Sequence, residues 1–324
     1  MIIVRTPLRI SFFGGGTDIP SFYSKKDGMV ISAAINKHIY LSAHPMFESD
    51  EILLKYSSIE KVKNVEDIRH NIFRELLKKH KITGVDIGVS SDIPSGTGLG
   101  SSSSFTVGLS KLINIYSGRD LEKAQIAKEA CEIEIDSLKQ LIGKQDQYAA
   151  AYGGLNRIEF LRDESVNVKP LELGVPAIKV LNDSLYLVRI GKTRSAGEML
   201  NKQASVNNRN GKSDKALGKL LELTREVNDS DFKDIEVLGD RLNQSWRLKK
   251  ESNPFASSSD IDELIDLGLS NGAVGAKLLG AGGAGFVLFV VASDSREKFL
   301  ARLTSRKVLN IHIDFEGSKL IYDI

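Results

Sequence analysis

The sequence predicts an α+β fold divided into two domains. Three observations carry that expectation. Strand-period and helix-period segments both occur, yet they do not run as the repeated β-α-β units of a parallel sheet. At 324 residues the chain is long enough to bury two modest cores. Composition also changes around 162–178, where Arg162-Asp163-Glu164-Ser165 is followed by Pro170 and Pro176, a joint between domains at 1–175 and 176–324.

Taken in order, residues 1–10 read as a strand, and Ile19-Pro20-Ser21-Phe22-Tyr23 opens a short helix with proline in its first turn. Residues 28–43 and 51–56 read as strands. Residues 64–81 read as an amphipathic helix whose basic end (Lys78, Lys79, His80, Lys81) suits the negative end of the helix dipole. Val85-Asp86-Ile87-Gly88-Val89 alternates as a half-buried strand does, and Phe105, Leu109, Leu112 and Ile113 share one helical face. Residues 120–141, rich in Ala, Glu, Lys, Leu and Ile, read as one helix. In the second half we expect a strand at 185–190, a mobile polar loop or lid at 202–215, helices at 215–228 and 232–251, and then helix 261–270, strand 285–292, helix 295–304 and strand 308–314.

Composition narrows the function. The 44 basic and 42 acidic residues leave a net charge of +2, too balanced for nucleic acid or an anionic membrane as main partner. A single cysteine, Cys131, rules out intrachain disulfides and fits a buried structural thiol in a reducing compartment. With no signal-peptide pattern at Met1–Arg5 and no apolar run of membrane-spanning length, the expected location is cytoplasmic. The five histidines lack metal-ligand spacing, which leaves a zinc site unsupported.

The chemistry concentrates in Pro94-Ser95-Gly96-Thr97-Gly98-Leu99-Gly100-Ser101-Ser102-Ser103-Ser104, between the strand at 85–89 and the helix carrying Phe105. Glycines permit close approach, and the start of a helix presents unpaired N–H groups at the positive end of its dipole. Such a place binds phosphate, while the serine hydroxyls can cap the helix or ligate Mg²⁺. It is not a Walker loop. The two Gly-Lys-Ser/Thr triplets, at 191–193 and 211–213, lack the leading glycine, which is Tyr186 and Val206 respectively. Gly280-Ala281-Gly282-Gly283-Ala284-Gly285 spells G-x-G-x-x-G, but the apolar run Phe286–Val291 after it reads as a buried strand rather than a helix, so it is no dinucleotide fingerprint.

Three further groups stand out. Gly14-Gly15-Gly16 bares the backbone, and Thr17 and Asp18 add groups that bind sugar hydroxyls; Asp18 would equally cap the short helix after it. Arg9 is a natural charge clamp beside a phosphate loop. Asp146, between two glutamines in an alanine-rich helix, is expected to be partly buried, and a buried carboxylate needs partners or a task. Among Glu129, Glu132, Glu134 and Asp136, one facing inward would serve as a metal ligand.

These stretches resemble one family, the GHMP kinases, which act on small molecules such as galactose, homoserine and mevalonate. Pro94-Ser95-Gly96-Thr97-Gly98-Leu99-Gly100-Ser101-Ser102 resembles its central motif, Pro7-Leu8-Arg9 through Asp18 its first, and Lys277-Leu278-Leu279-Gly280-Ala281-Gly282-Gly283-Ala284-Gly285 its third. The resemblance implies a ribosomal-protein-like N-terminal domain and a ferredoxin-like C-terminal one. It implies ATP on residues 94–103, Mg²⁺ on Ser102 and Glu134, Asp146 and Arg9 as the catalytic pair, and acceptor contacts from Gly15, Gly16, Thr17, Asp18, Gly282 and Gly283. Gly15-Gly16 stands where galactokinases carry Glu-His, which argues against galactose. The Gly-Gly-Gly-Thr-Asp form most resembles the heptose 7-phosphate kinases, which phosphorylate an anomeric hydroxyl on the route to GDP-heptose for surface polysaccharides; the kinase half of fucokinase shares much of it. The implied partners are ATP and a sugar phosphate, with a homodimer compatible. Lys25, Lys192 and Arg194 are candidates for the acceptor's own phosphate. The alternatives are a fucose or other hexose 1-kinase, an isoprenoid-pathway kinase, or a non-catalytic sugar sensor, which would lack Asp146, Ser102 or Glu134.

Overall fold

The structure, a computed structural model, describes residues 1–191 and 211–323. Its first half holds β1 (Ile2–Phe13), α1 (Pro20–Tyr23), β2 (Gly28–Pro45), β3 (Ile52–Lys55), β4 (Ile59–Val62), α2 (Asn71–His80), β5 (Val85–Ser91), α3 (Ser101–Tyr116), α4 (Lys123–Cys131), α5 (Gln145–Tyr152), β6 (Leu155–Phe160) and β7 (Val166–Pro170). The second half holds α6 (Val175–Ser184), β8 (Leu185–Ile190), α7 (Gly211–Glu226), α8 (Ile235–Ser252), α9 (Ser259–Leu269), β9 (Ala273–Leu278), β10 (Gly285–Val291), α10 (Arg296–Arg302), β11 (Val308–Asn310) and β12 (Lys319–Asp323).

Two sheets result. The larger runs β12-β1-β2-β5-β3-β4, with β6 on β2 and β7 on β6; the smaller runs β11-β8-β10-β9. Among the described strands only β3–β5 pairs in parallel. This is an α+β chain, as its pattern predicts. Sheet β11-β8-β10-β9 is covered on both faces, and its side chains alternate between two cores. Phe286, Leu288 and Val290 enter the main core with Leu109 and Leu112 of α3, while Val287, Phe289 and Val291 pack with Trp246, Leu264 and Phe299. That explains the unbroken apolar run of β10, since a strand buried on both faces has no polar side to alternate with.

Several boundaries differ from the sequence reading. Residues 120–141 are not one helix: α4 ends at Cys131, a π-helical turn occupies Glu132–Ser137, and an irregular stretch lies beyond it. The helix expected from 64 begins at Asn71, after a short 3₁₀ turn at Val65–Asp67. The strand expected over 308–314 stops at Asn310. Residues 162–165 are the tip of the β6–β7 hairpin rather than a linker. The last strand, β12, leaves the second half and pairs with β1, so residues 319–323 complete the first sheet. Of the lid expected at 202–215, residues 202–210 lie outside the described residues, and the helix α7 already begins at Gly211.

Candidate active site

A cavity of ≈ 920 Å³ opens between the halves of the chain. One wall is the loop before α3. Gly100 is the residue capping α3, in the left-handed region at φ 73°. A side chain there would be strained, and its Cβ would press on Arg9 and Asp146. The first intrahelical bond is donated by Ser104 N to the Gly100 carbonyl. The N–H groups of Ser101, Ser102 and Ser103 therefore have no helical acceptor, and all three residues line the cavity. None of the serines caps the helix, contrary to one of the roles expected for them. Ser104 instead bonds the Pro7 carbonyl at 2.9 Å and pins α3 to β1.

β1 supplies the cation. Its register shifts at Pro7/Leu8, and two residues on Arg9 donates its own N–H to the Leu99 carbonyl. The Arg9 guanidinium is buried and makes three bonds. Nε and Nη2 each lie 2.6 Å from one oxygen of Asp146, and Nη1 lies 2.7 Å from the Gly98 carbonyl. This bidentate fork couples the first turn of α5 to the phosphate loop. Asp146 stays partly open to the cavity, as its sequence context predicts.

The π-helical turn at 132–137 breaks the regular helical period. Such turns concentrate at functional sites because the inserted residue rotates the side chains beyond it. Glu134 consequently points inward and is fully buried. Its two oxygens accept from Ser102 Oγ at 3.0 Å and from Gln147 Nε2 at 2.7 Å. Burial raises its pKa, hydrogen bonds from Ser103, Gln147 and Ser102 oppose the rise, and the charge of Asp146 adds to it. A buried carboxylate beside a hydroxyl, with no cation paired to it among the described residues, is a fit for a divalent ion that draws most of its ligands from water and phosphate oxygens. Among the described residues no group of three His, Cys, Asp or Glu side chains forms a closed metal cage. Glu129 also faces inward, but it pairs with His80, Ser110 and Asn114 away from the cavity wall.

Asp18 is buried in the cavity wall against Gly143 and Gln145 and does not cap α1. It accepts from the N–H of Gly16 at 2.9 Å and of Gln145 at 3.3 Å. Burial raises its pKa, the Gly16 N–H counters, and the Asp146 charge pushes it further up. Gly143 makes the space, because a Cβ there would overlap the Asp18 carboxylate. The glycine-rich turn 279–285 closes against the phosphate loop: Gly98 and Gly280 meet backbone to backbone, leaving no room for a Cβ on either.

Of the residues singled out from sequence, Arg9, Gly15, Gly16, Asp18, Ser95, Gly96, Gly98, Gly100, Ser101, Ser102, Ser103, Glu134, Asp146 and Gly282 line this one cavity. Five others do not. The hydroxyl of Thr17 is taken up by the Gly14 carbonyl and by both backbone groups of Met29, which staples the glycine loop to β2. Thr97 bonds the Pro94 carbonyl and is buried with Leu99, so Pro94, Thr97 and Leu99 shape the loop from behind. Gly283 spends its N–H on the Ala256 carbonyl. Lys25 is exposed and off the cavity, while Lys192 and Arg194 lie outside the described residues. Sequence reasoning overlooked Lys249 of α8, which lines the cavity, and noted Lys277 of β9 only as part of a motif.

A glycine-serine turn feeding α3, a serine–glutamate pair beneath it and an arginine-held aspartate beside it form a phosphotransferase site. Residues 67–154 match the GHMP kinases N terminal domain and residues 219–307 match the GHMP kinases C terminal domain. The chain belongs to the GHMP kinase family. It is 31% identical to the D-glycero-alpha-D-manno-heptose 7-phosphate kinase of Campylobacter jejuni, over 98% of this chain and 97% of that one. It is 26% identical to a galactokinase of Thermosipho africanus over 91% of this chain and 90% of that one. In three dimensions it superimposes on a D-glycero-D-manno-heptose 1-phosphate kinase from Bacteroides thetaiotaomicron with a TM-score of 0.80 at 23% identity, over 100% and 99% of the two chains. The chain is a sugar kinase that uses ATP. Among the described residues no helix is long and apolar enough to cross a membrane.

Proposed function

We propose that this kinase transfers the γ-phosphate of ATP, with Mg²⁺, to the anomeric C1 hydroxyl of D-glycero-D-manno-heptose 7-phosphate, giving the 1,7-bisphosphate. The full-length match to a heptose 7-phosphate kinase supports the acceptor. The observation that carries the chemistry is the Arg9–Asp146 fork packed against the phosphate loop, beside the free N–H groups of α3, in one cavity.

Phosphoryl transfer asks a protein for position and charge neutralisation. The N–H groups of Ser101–Ser103 bind the nucleotide phosphates at the positive end of α3. Ser102 Oγ and Glu134 Oε1 are the hard oxygens that would hold Mg²⁺, which when bound offsets phosphate charge. Asp146 receives or orients the C1 hydroxyl proton; an anomeric hydroxyl is more acidic than an ordinary alcohol, so a modest base suffices. Arg9 keeps that carboxylate in place and offsets charge on the transferring group. Asp18 and the bared backbone at Gly15 and Gly16 hold acceptor hydroxyls. Residues 1–175 thus carry the nucleotide loop and the Arg9–Asp146 pair, and residues 176–324 close the cavity over them.

A fucose or hexose 1-kinase is the second reading, supported by a bifunctional fucokinase of Arabidopsis thaliana that is 25% identical over 97% of this chain and 31% of that protein. A coupled ADP-release assay with the heptose 7-phosphate, fucose, galactose and mevalonate separates the two. Turnover of the heptose phosphate alone is expected. Preference for a free hexose overturns the acceptor and leaves the kinase standing.

A further inference from the structure

Two lysines reach the cavity from the second half of the chain, and neither forms an ion pair among the described residues. Lys277 Nζ, with its side chain buried, donates to the carbonyls of Ser11 at 3.2 Å and Phe12 at 2.7 Å and to Ser245 Oγ at 3.3 Å. Lys249 Nζ donates to the carbonyls of Leu278 at 3.0 Å and Gly280 at 2.6 Å, with the Trp246 ring 5.7 Å away. An amino group with three partners is saturated by protein, as Lys277 is, whereas Lys249 has two and keeps a position for a third. Arg9 is close enough to lower both lysines electrostatically, and Lys249 lowers Lys277 as well, although burial is the larger cause in each case.

Three cations crowded against one wall, with Asp146 engaged by Arg9 and Asp18 by backbone N–H groups, are costly unless an anion completes the set. The nucleotide phosphates on the α3 loop are the competing anion, because Lys249 bonds Gly280, which packs on Gly98 of that loop. The lysines come from α8 and β9, and Lys277 grips the end of β1 directly before the Gly14–Gly16 turn, on the acceptor side. We propose that Lys249, with Lys277 behind it, seats a second phosphate group in the cavity, the one the acceptor already carries. The proposal rests on reading the acceptor as a sugar phosphate. It replaces Lys25, which the fold leaves outside the cavity.

The test uses the full chain saturated with Mg²⁺ and a non-hydrolysable ATP analogue, which fills the nucleotide phosphate positions. Inorganic phosphate is titrated calorimetrically into the wild type, Lys249→Met and Lys249→Arg. We expect saturable binding of one phosphate in the wild type, weakened about 10- to 100-fold by Lys249→Met and largely kept by Lys249→Arg, the scale of losing a charge-assisted hydrogen bond. In turnover assays the KM for the sugar phosphate rises by a similar factor, and the KM for ATP stays unchanged. Lysine NMR of the wild type reads the same contact without a variant: the Lys249 resonance shifts as phosphate is added. Phosphate binding indifferent to Lys249, or a loss of affinity for the ATP analogue instead, overturns the seat. Lys249-dependent phosphate binding in a protein that rejects heptose 7-phosphate supports the seat and overturns the acceptor reading instead.

Discussion

Replacing Arg9 by lysine tests whether the guanidinium fork, and not merely a positive charge, operates the site. Arg9 holds three acceptors: two oxygens of Asp146 at 2.6 Å each and the Gly98 carbonyl at 2.7 Å. A lysine ammonium is a point charge on a flexible stem and satisfies one of these in line at a time, so two are lost. Each charge-assisted bond is worth about 1.5–3 kcal/mol. The Asp146 side chain is 21% exposed, so water restores part of what it loses and the lower figure applies. The total is about 3 kcal/mol, or roughly two powers of ten in kcat. ADP release measured against ATP and acceptor separately should show the loss mainly in kcat. A cycle with Asp146→Asn should be far from additive, because the second change removes the partner of the first. A loss below about fivefold, or full additivity with Asp146→Asn, would refute the idea that Arg9 works through Asp146.

Three more outcomes are expected from the same geometry. Gly143→Ala drives a Cβ into the Asp18 carboxylate and should lower kcat/KM for the acceptor by about 100-fold, the cost of an ångström-scale misplacement, while nucleotide binding measured by fluorescence is retained. Glu134→Gln should raise the Mg²⁺ concentration needed for half-maximal rate at least about tenfold. The folded pKa of Glu134 is raised, so its stability contribution is present at low pH and lost as pH rises through that value; without metal near neutral pH the glutamine variant should melt no lower than the wild type. Burial, helped by Arg9, holds Lys249 down to about 7. Between that value and the ordinary lysine range the unfolded chain binds more protons than the folded one, so stability in denaturant should climb from pH 7 towards pH 9, and Lys249→Met should flatten the climb.

What the sequence disclosed of this site is what glycines and local spacing encode. The strand, glycine-serine turn and helix around residues 94–104 could be read directly, because phosphate binding there depends on backbone N–H groups and on the bare approach glycine allows. That Arg9 and Asp146 meet was implied only by the family resemblance and not by the residues themselves, since 137 positions separate them and β1 and α5 bring them together. Glu134 was harder to single out, because its inward aim depends on the π-helical turn that breaks the regular period across 120–141. Lys249 and Lys277 gave the weakest signal, and Lys249 in a basic run near a helix end looks like solvated charge. Lys277, a lone charge inside the strand Ala273–Leu278, entered the sequence reading only as the first residue of a family motif. Thr17 misled for a comparable reason: beside a bared glycine loop a hydroxyl looks like a ligand contact, and here it staples that loop to Met29.

The most direct test of the central claim is phosphorus NMR of the product formed from ATP, Mg²⁺ and D-glycero-D-manno-heptose 7-phosphate. The account predicts that the resonance of the original phosphate persists and a second one appears, coupled to the anomeric proton, and that Asp146→Asn suppresses it. Inorganic phosphate alone, or a new phosphate on any carbon other than C1, would contradict it.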